Sequence, residues 1–424
     1  MRKFYAAIMA LVLLLTLAAC GGAKTQPAGA GATTEPAKAD PAKAQPAKEL
    51  QTVKIGILGS RSGASATLGQ YLDAAIAAIR KANDDGGING YKFEIVLRDD
   101  EANPTKSTEL AKELIYKEKV VAIIGPTNTS NALAIMPLVF EAKIPLIDPV
   151  ATGTGIMPKA VELAKGGPNW FFMVTTSDDV QAGRLVKFVK DHQFKKPVII
   201  HDDTAYGKGG GGLLAKQMEQ AGVKAVKVIT HNYSSPDLTP QMLQAKEAGA
   251  DIVLLWSLGH DQAQAAKAKA KLGWDVPLVG STAMQMANFR ALAGDAAQGG
   301  LSIWPAGHVR PNPARNGQLP ARITEGYNTY LKYYGNDANK MPLENFGSAM
   351  FAYDAGMIVV QAIGAVGPDP AKIRDYIETQ PHKNVGSKDV IQFTKDNHFV
   401  WKVEDLTMVL VKKDGLEEYD DTKK

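Results

Sequence analysis

Apolar and polar positions along the chain follow two periods that alternate. "TVKIGIL" (52–58) is a short apolar run that predicts a buried strand. From about Thr67 to Asn83, Leu68, Leu72, Ile76 and Ile79 recur on one face, which predicts an amphipathic helix. "DDGGING" (84–90) breaks that helix, and "YKFEIVLRDD" (91–100) alternates as a strand. Asn103-Pro104 supplies a cap and a proline for the first helical position, opening a helix to about Glu118. "VVAIIG" (120–125) predicts a strand, the residues beyond it a helix, and "IPLIDP" (144–149) a strand again. The rhythm resumes after "FFMVTTSDD" (171–179), with strands predicted at 197–203, 224–230, 251–257, 276–281 and 301–305 and helices between them. Helices at about 320–334 and 344–364 precede a short "VIQFT" (390–394) and a last strand at "LTMVLV" (406–411).

Alternation of this kind predicts an α/β fold with parallel sheets covered on both faces. The chain from Gln51 onward is longer than a single core usually holds, so two doubly wound lobes are expected.

The N-terminus changes the picture. Arg2 and Lys3 precede an apolar run from Phe4 to Leu15, followed by Leu17-Ala18-Ala19-Cys20. That is the layout of a secretory signal, and the run is short for a transmembrane span. Leu-Ala-Ala-Cys followed by glycine resembles the bacterial lipobox, which implies a signal peptide over 1–19 and a lipid on Cys20. Cys20 is the only cysteine, so disulfides and cysteine-built zinc sites are excluded. Residues 20–50 are rich in Ala, Pro and Lys and read as a solvated tether. At about 3.1 Å per residue, its thirty or so residues reach on the order of 90 Å when extended. The formal charge is +4 and the lysines are scattered, so a nucleic-acid partner is not expected.

Enzyme signatures fail in turn. The glycines of "GILGSRSG" (56–63) miss the dinucleotide spacing, and "GKGGGG" (207–212) lacks the Lys-Ser/Thr ending of a phosphate loop. Its glycines fit better a close approach at a helix start. Arg61 occupies the centre of "GSRSG", so no nucleophile elbow forms. No two of the seven histidines are three to five apart, as a helical metal pair requires. No catalytic group, metal or cofactor is expected.

Polar clusters do gather where the predicted strands end: Gly59–Thr67, Pro126–Asn131, Asp148–Thr154, Asp202–Gly207, Ser257–Asp261 and Ser281–Gln285. In an open parallel sheet ligands sit beyond the carboxyl ends of the strands. Each cluster also precedes a helix, whose first N–H groups carry partial positive charge. The run Thr127-Asn128-Thr129-Ser130-Asn131 can therefore hold a polar or anionic solute; any one of its hydroxyls, taken alone, can equally be an N-cap.

From about Val53 to Val411 the chain resembles the leucine/isoleucine/valine-type substrate-binding proteins of bacterial ABC importers. The segments that carry the resemblance are "GQYLDAAIAAIRKANDDGGINGYKFEIVLRDDEANPTKSTELAKELI", "VVAIIGPTNTSNALAIMPLVFEAKIPLIDPVAT", "PVIIHDDTAYGKG" and "GADIVLLW". It implies a type I periplasmic-binding-protein fold with two lobes, 51–175 plus 306–388 and 176–305 plus 389–424. It further implies three crossings near Val174–Asp178, Trp304–Gly307 and Gly386–Thr394, and closure of the lobes on a solute. The implied role is extracytoplasmic: a lipid-anchored monomer on the outer face of the cytoplasmic membrane or in the periplasm delivers an amino acid or related carboxylate or amide to the permease. A signalling component with the same fold is the alternative, and an enzyme the more distant one.

By the same resemblance, Ser130 and the backbone at Val150 with Thr152 meet the carboxylate of the solute, with Asn128 and Thr129 beside them. Tyr206 matches a second-lobe tyrosine. Asp148 replaces a usual serine and either caps the following turn or disfavours a nearby anion. Thr282 stands where amino-acid binders place a glutamate for the ammonium, and Asp261 or Asp203 are possible substitutes. Arg61 is a candidate carboxylate partner or a rim residue, and Trp256 a candidate apolar wall or core.

Overall fold

The computed structural model describes residues 49–306, 308–309, 318–337, 340–383, 386–412 and 415–420. The expected signal peptide, Cys20, the tether up to residue 48 and Gly307 lie outside the described residues.

The first apolar run becomes β1 (Gln51–Gly59), buried from Ile55 onward. It is followed by α1 (Ala66–Asp84), β2 (Tyr91–Asp99), α2 (Pro104–Lys112), β3 (Ile123–Ile124), α3 (Thr129–Ala142), β4 (Leu146–Asp148), α4 (Ile156–Ala164) and β5 (Phe171–Met173). These strands pair in parallel in the order β2-β1-β3-β4-β5. Asn103 caps α2 as its sequence predicts, accepting the Thr105 and Lys106 N–H groups at 2.9 and 3.1 Å.

The second lobe contains α5 (Asp178–Asp191), β6 (Pro197–Asp202), α6 (Ala205–Gln220), β7 (Lys227–His231), α7 (Thr239–Glu247), β8 (Ile252–Trp256), α8 (Gly259–Lys271), β9 (Leu278–Gly280), α9 (Ala287–Ala293) and β10 (Gly300–Pro305). Strands β6 and β8 are buried along their whole length, as expected of parallel strands with helices on both faces.

The chain then returns to the first lobe through α10 (Ala321–Tyr334), α11 (Leu343–Val366) and α12 (Pro370–Thr379). Helix α11 packs along α1 and against β2, β3 and β4. Its segment Phe346–Val366 is long and apolar enough to cross a membrane, but 78% of that window is buried inside the fold, so core packing accounts for its composition.

The hairpin of β11 (His382–Lys383) and β12 (Val390–Ile391) corrects the third crossing, expected near 386–394. The Met173 N–H donates to the His398 carbonyl at 3.0 Å, and Trp401 Nε1 donates to the Val174 carbonyl at 2.7 Å. His398 also stacks on Phe172, with ring centroids 4.2 Å apart. These contacts hold the chain beside β5 up to Trp401, so residues 389–401 stay with the first lobe. Only β13 (Leu406–Lys412) and β14 (Gly415–Glu418) join the second sheet, whose order is β14-β13-β10-β9-β8-β6-β7, with β13 antiparallel to both of its neighbours, β10 and β14.

Candidate functional site

Strand order reverses between β1 and β3 in the first sheet and between β6 and β8 in the second. At such a reversal the connecting helices depart to opposite faces and leave a crevice at the strand ends. In the first lobe, Ser60 ties the loop after β1 to the loop after β3: its N–H donates to Thr127 Oγ1 at 3.1 Å and its hydroxyl to Asn128 Oδ1 at 2.9 Å. Gly125 has φ of +122°, and a Cβ there would stand 2.0 Å from the Leu58 carbonyl, so only glycine lets the chain leave β3 this close to β1. In the second lobe, Asp202 at the end of β6 accepts the Leu258 N–H at 3.0 Å and so fixes the loop after β8.

A cavity of about 150 Å3 lies between these two sets of loops. Asn128, Thr129, Ser130, Val150 and Thr152 line it from the first lobe, and Tyr206 and Thr282 from the second. Most of the chain positions picked out by sequence therefore meet in one place; Arg61, Trp256, Asp203 and Asp261 do not. Arg61 turns away: its guanidinium pairs with Asp73 at 2.8 Å and donates to the Gly69 carbonyl at 2.7 Å, so α1 supplies its partners. Trp256 is fully buried in the second lobe's core beneath α6, where Gly210 leaves room for its indole.

The N-terminus of α3 is uncapped. Asn128 occupies the cap position, but its Oδ1 accepts from Ser60 and Thr127 and its amide donates to Ser65 Oγ at 3.2 Å. The first-turn N–H groups at Thr129 and Ser130 thus remain as donors at the cavity wall.

The neighbouring loop is different. Asp148 Oδ1 accepts the Val150 and Ala151 N–H groups at 2.9 and 2.8 Å, so Asp148 caps this turn and the Val150 N–H is not available to a carboxylate. Burial pushes the Asp148 carboxyl well above the ordinary range, against the pull of those two donors.

Across the cavity, Tyr206 donates its phenol proton to Ser281 Oγ at 2.7 Å. Burial raises the Tyr206 pKa well above its usual value, so the phenol keeps its proton. The Thr282 N–H and hydroxyl both donate to Gln181 Oε1, at 3.3 and 3.0 Å. Asp203 and Asp261 do not line the cavity; they accept the Tyr233 N–H at 2.8 Å and the Ser234 N–H at 3.1 Å. Among the described residues, none that lines the cavity carries a formal charge.

Tyr233 and Met286, outside the strand-end clusters named from sequence, also line the cavity, as do Ser65 and Leu258, which fall inside those clusters but were not singled out. Tyr233 was within reach, because it follows the predicted strand at 224–230 as the other polar clusters follow theirs. Gln181 carried no signal, since on a helix it reads as surface.

The sequence model of the family described as periplasmic binding protein matches residues 52–415. The chain is 26% identical over 347 residues to an amino acid binding protein of Pseudomonas aeruginosa, covering 80% of this chain and 86% of that one. It is also 26% identical over 339 residues to a Leu/Ile/Val-binding protein homolog 1 of Brucella suis, covering 78% and 84%. Among solved structures, a periplasmic binding protein type 1 from Bordetella pertussis Tohama I superposes with a TM-score of 0.77 at 26% identity, covering 87% of this chain and 100% of that one.

Proposed function

The chain belongs to the periplasmic binding protein family, and from that premise we propose that it captures a small amino acid, or a related carboxylate or amide, between its lobes and delivers it to an ABC permease. The observation that carries this reading is the cavity at the two strand-order reversals, with donors from α3 on one side and hydroxyls of the other lobe opposite. A solute that touches both walls biases a two-state hinge toward closure. Contacts between the lobes accompany the cavity: Ser65 Oγ lies 3.4 Å from the Tyr233 hydroxyl, and Gln285 Nε2 donates to Ser348 Oγ at 3.1 Å.

In this reading Thr129 and Ser130 hold the acceptor end of the solute, with Asn128 and Thr152 shaping the wall around it. Tyr206 and Thr282 face its other polar group, while Leu68, Val150, Leu258 and Met286 surround its apolar body. An engineered apolar cavity of about 150 Å3 in another protein accepts benzene, which sets the scale of that body. The names of the Pseudomonas and Brucella relatives support an amino-acid-like solute. Lipidation at Cys20 and the tether would keep the capture domain within reach of a membrane permease.

The test is a thermal-shift panel of amino acids, carboxylates and amides on the full chain. A solute present at a hundred times its dissociation constant adds about 2.7 kcal/mol of stability. If no member of a broad panel stabilises the protein, the capture reading falls.

A further inference from the structure

We propose, resting on that reading of the cavity, that its preferred solute carries an uncharged carboxamide head rather than a carboxylate or an α-ammonium. The directions of two hydroxyl protons at the cavity set this preference. Gln181 donates its amide nitrogen to the Thr176 carbonyl and hydroxyl, at 3.5 and 3.3 Å, and this turns its oxygen toward Thr282. A carbonyl oxygen only accepts, so the Thr282 hydroxyl must give its proton to Gln181. Tyr206 likewise gives its proton to Ser281 Oγ. Each of these oxygens keeps lone pairs to offer the cavity, so this wall accepts hydrogen bonds and donates none from those two groups.

The opposite wall has the reverse polarity. The uncapped first turn of α3 offers N–H donors at Thr129 and Ser130. A primary carboxamide matches both walls, with its oxygen toward α3 and its NH2 toward Tyr206 and Thr282. A carboxylate would set one oxygen against the lone pairs of Tyr206 and Thr282. Its other natural seat, the Val150 and Ala151 N–H pair, is held by Asp148. An ammonium would find the same neutral oxygens; the nearest carboxyl, Asp178, sits fully buried beside Thr152 and Tyr206, and burial drives it toward its neutral form, so it supplies little counter-charge. Gln181 thus acts as a positioning residue, setting the donor–acceptor sense of Thr282.

The test uses three compounds with one carbon skeleton: 4-methylpentanamide, 4-methylpentanoate and leucine. Calorimetry on the full chain is expected to show the amide binding at least tenfold more tightly than either of the others. Gln181→Leu releases the Thr282 proton, and the amide-to-carboxylate preference should then drop about tenfold. Should that variant fail to fold, Thr282→Val removes the acceptor and should weaken the amide while the carboxylate, relieved of one opposing lone pair, binds no more weakly than before. If the carboxylate or leucine binds as tightly as the amide or more so, the amide assignment is overturned and the capture reading stands. If these three and the wider panel all fail to bind, both readings fall together.

Discussion

Thr282 and Gln181 stand 101 positions apart, and the Thr282 hydroxyl donates to Gln181 Oε1 at 3.0 Å inside the second lobe. Gln181 lies on α5, whose first residue, Asp178, donates its N–H to the Thr152 carbonyl of the first lobe at 2.9 Å. One helix therefore both starts the second lobe at the first crossing and orients a hydroxyl at the cavity. On the proposed reading, closure and selection of the solute share a structural element.

Ser130 gives the most direct test of the first-lobe wall. It is half-buried at the cavity and its hydroxyl takes no partner among the described residues. Ser130→Ala should leave stability within about 0.5 kcal/mol of the parent, as for substitutions that break no internal contact. Loss of a hydrogen bond to the solute should weaken binding by roughly tenfold, the scale of about 1–1.5 kcal/mol. Calorimetry together with urea unfolding separates the two, and unchanged affinity would remove Ser130 from the site.

Asp148 is expected to matter for stability through its turn. Asp148→Ala strands the half-buried Val150 donor and the buried Ala151 donor, at a cost of about 1–3 kcal/mol. Asp148→Asn retains an oxygen for both donors and should cost less than about 1 kcal/mol, since the carboxyl is already driven toward its neutral form by burial. Urea midpoints of the two variants check this; equal losses would mean that the charge, and not the cap, is what the fold uses.

The alternation of apolar runs and caps made most of the fold legible in the sequence, because periodicity reports which faces are buried and not the details of contact. The strands at β3 and β4 were overestimated, since "VVAIIG" and "IPLIDP" are apolar beyond the few residues that pair. Helix α12 was missed although Asp369-Pro370 repeats the cap-and-proline signal of Asn103-Pro104, and Asp369 does accept from Ala371 and Lys372 at 2.9 and 3.1 Å. The cavity was legible through strand-end polarity. The fates of Arg61 and Trp256 were not, because Asp73 is a partner only once α1 folds over the first loop, and Trp256 is core only once α6 covers it. Hydrogen-bond direction at Gln181 depends on contacts across a hundred residues, which no local pattern encodes.

The glycine run in α6 separates packing from flexibility. A Cβ on Gly210 would lie 1.9 Å from Trp256 Nε1, whereas Gly212 has nothing within 4 Å. Gly210→Ala must displace a fully buried indole and is expected to cost about 1–3 kcal/mol. Gly212→Ala sits on an exposed helix position and should add about 0.5–1 kcal/mol by reducing backbone entropy lost on folding. Chemical denaturation of both variants checks the opposite signs. A neutral Gly210→Ala would show that the run is not there to let α6 approach β8.

Asp354 supplies a pH dependence whose sign is fixed by burial. It is fully buried on α11 and accepts the Gly386 and Ser387 N–H groups, while the Ser387 carbonyl receives Arg322 and lies 2.8 Å from His308 Nε2. Burial pushes its carboxyl up to about 7 from 3.8, outweighing the bonds from Ser387 and Gly386 and the attraction of Arg322. Below about pH 4 both the folded and the unfolded chain hold the proton. Between about pH 4 and 7 the unfolded chain releases it while the folded one keeps it, so stability falls as pH rises, and above 7 this contribution is flat. At 1.36 kcal/mol per pKa unit the loss across that window reaches up to about 4 kcal/mol. Asp354→Asn keeps an acceptor oxygen and cannot titrate, so its stability relative to the parent should improve steadily from pH 4 to pH 7 and then level off. Urea unfolding of both proteins at pH 4, 5.5, 7 and 8 measures the difference. Parallel profiles would mean that the Asp354 carboxyl titrates in the folded protein as it does in the open chain, and that the loop at Gly386 is held by a charged group after all.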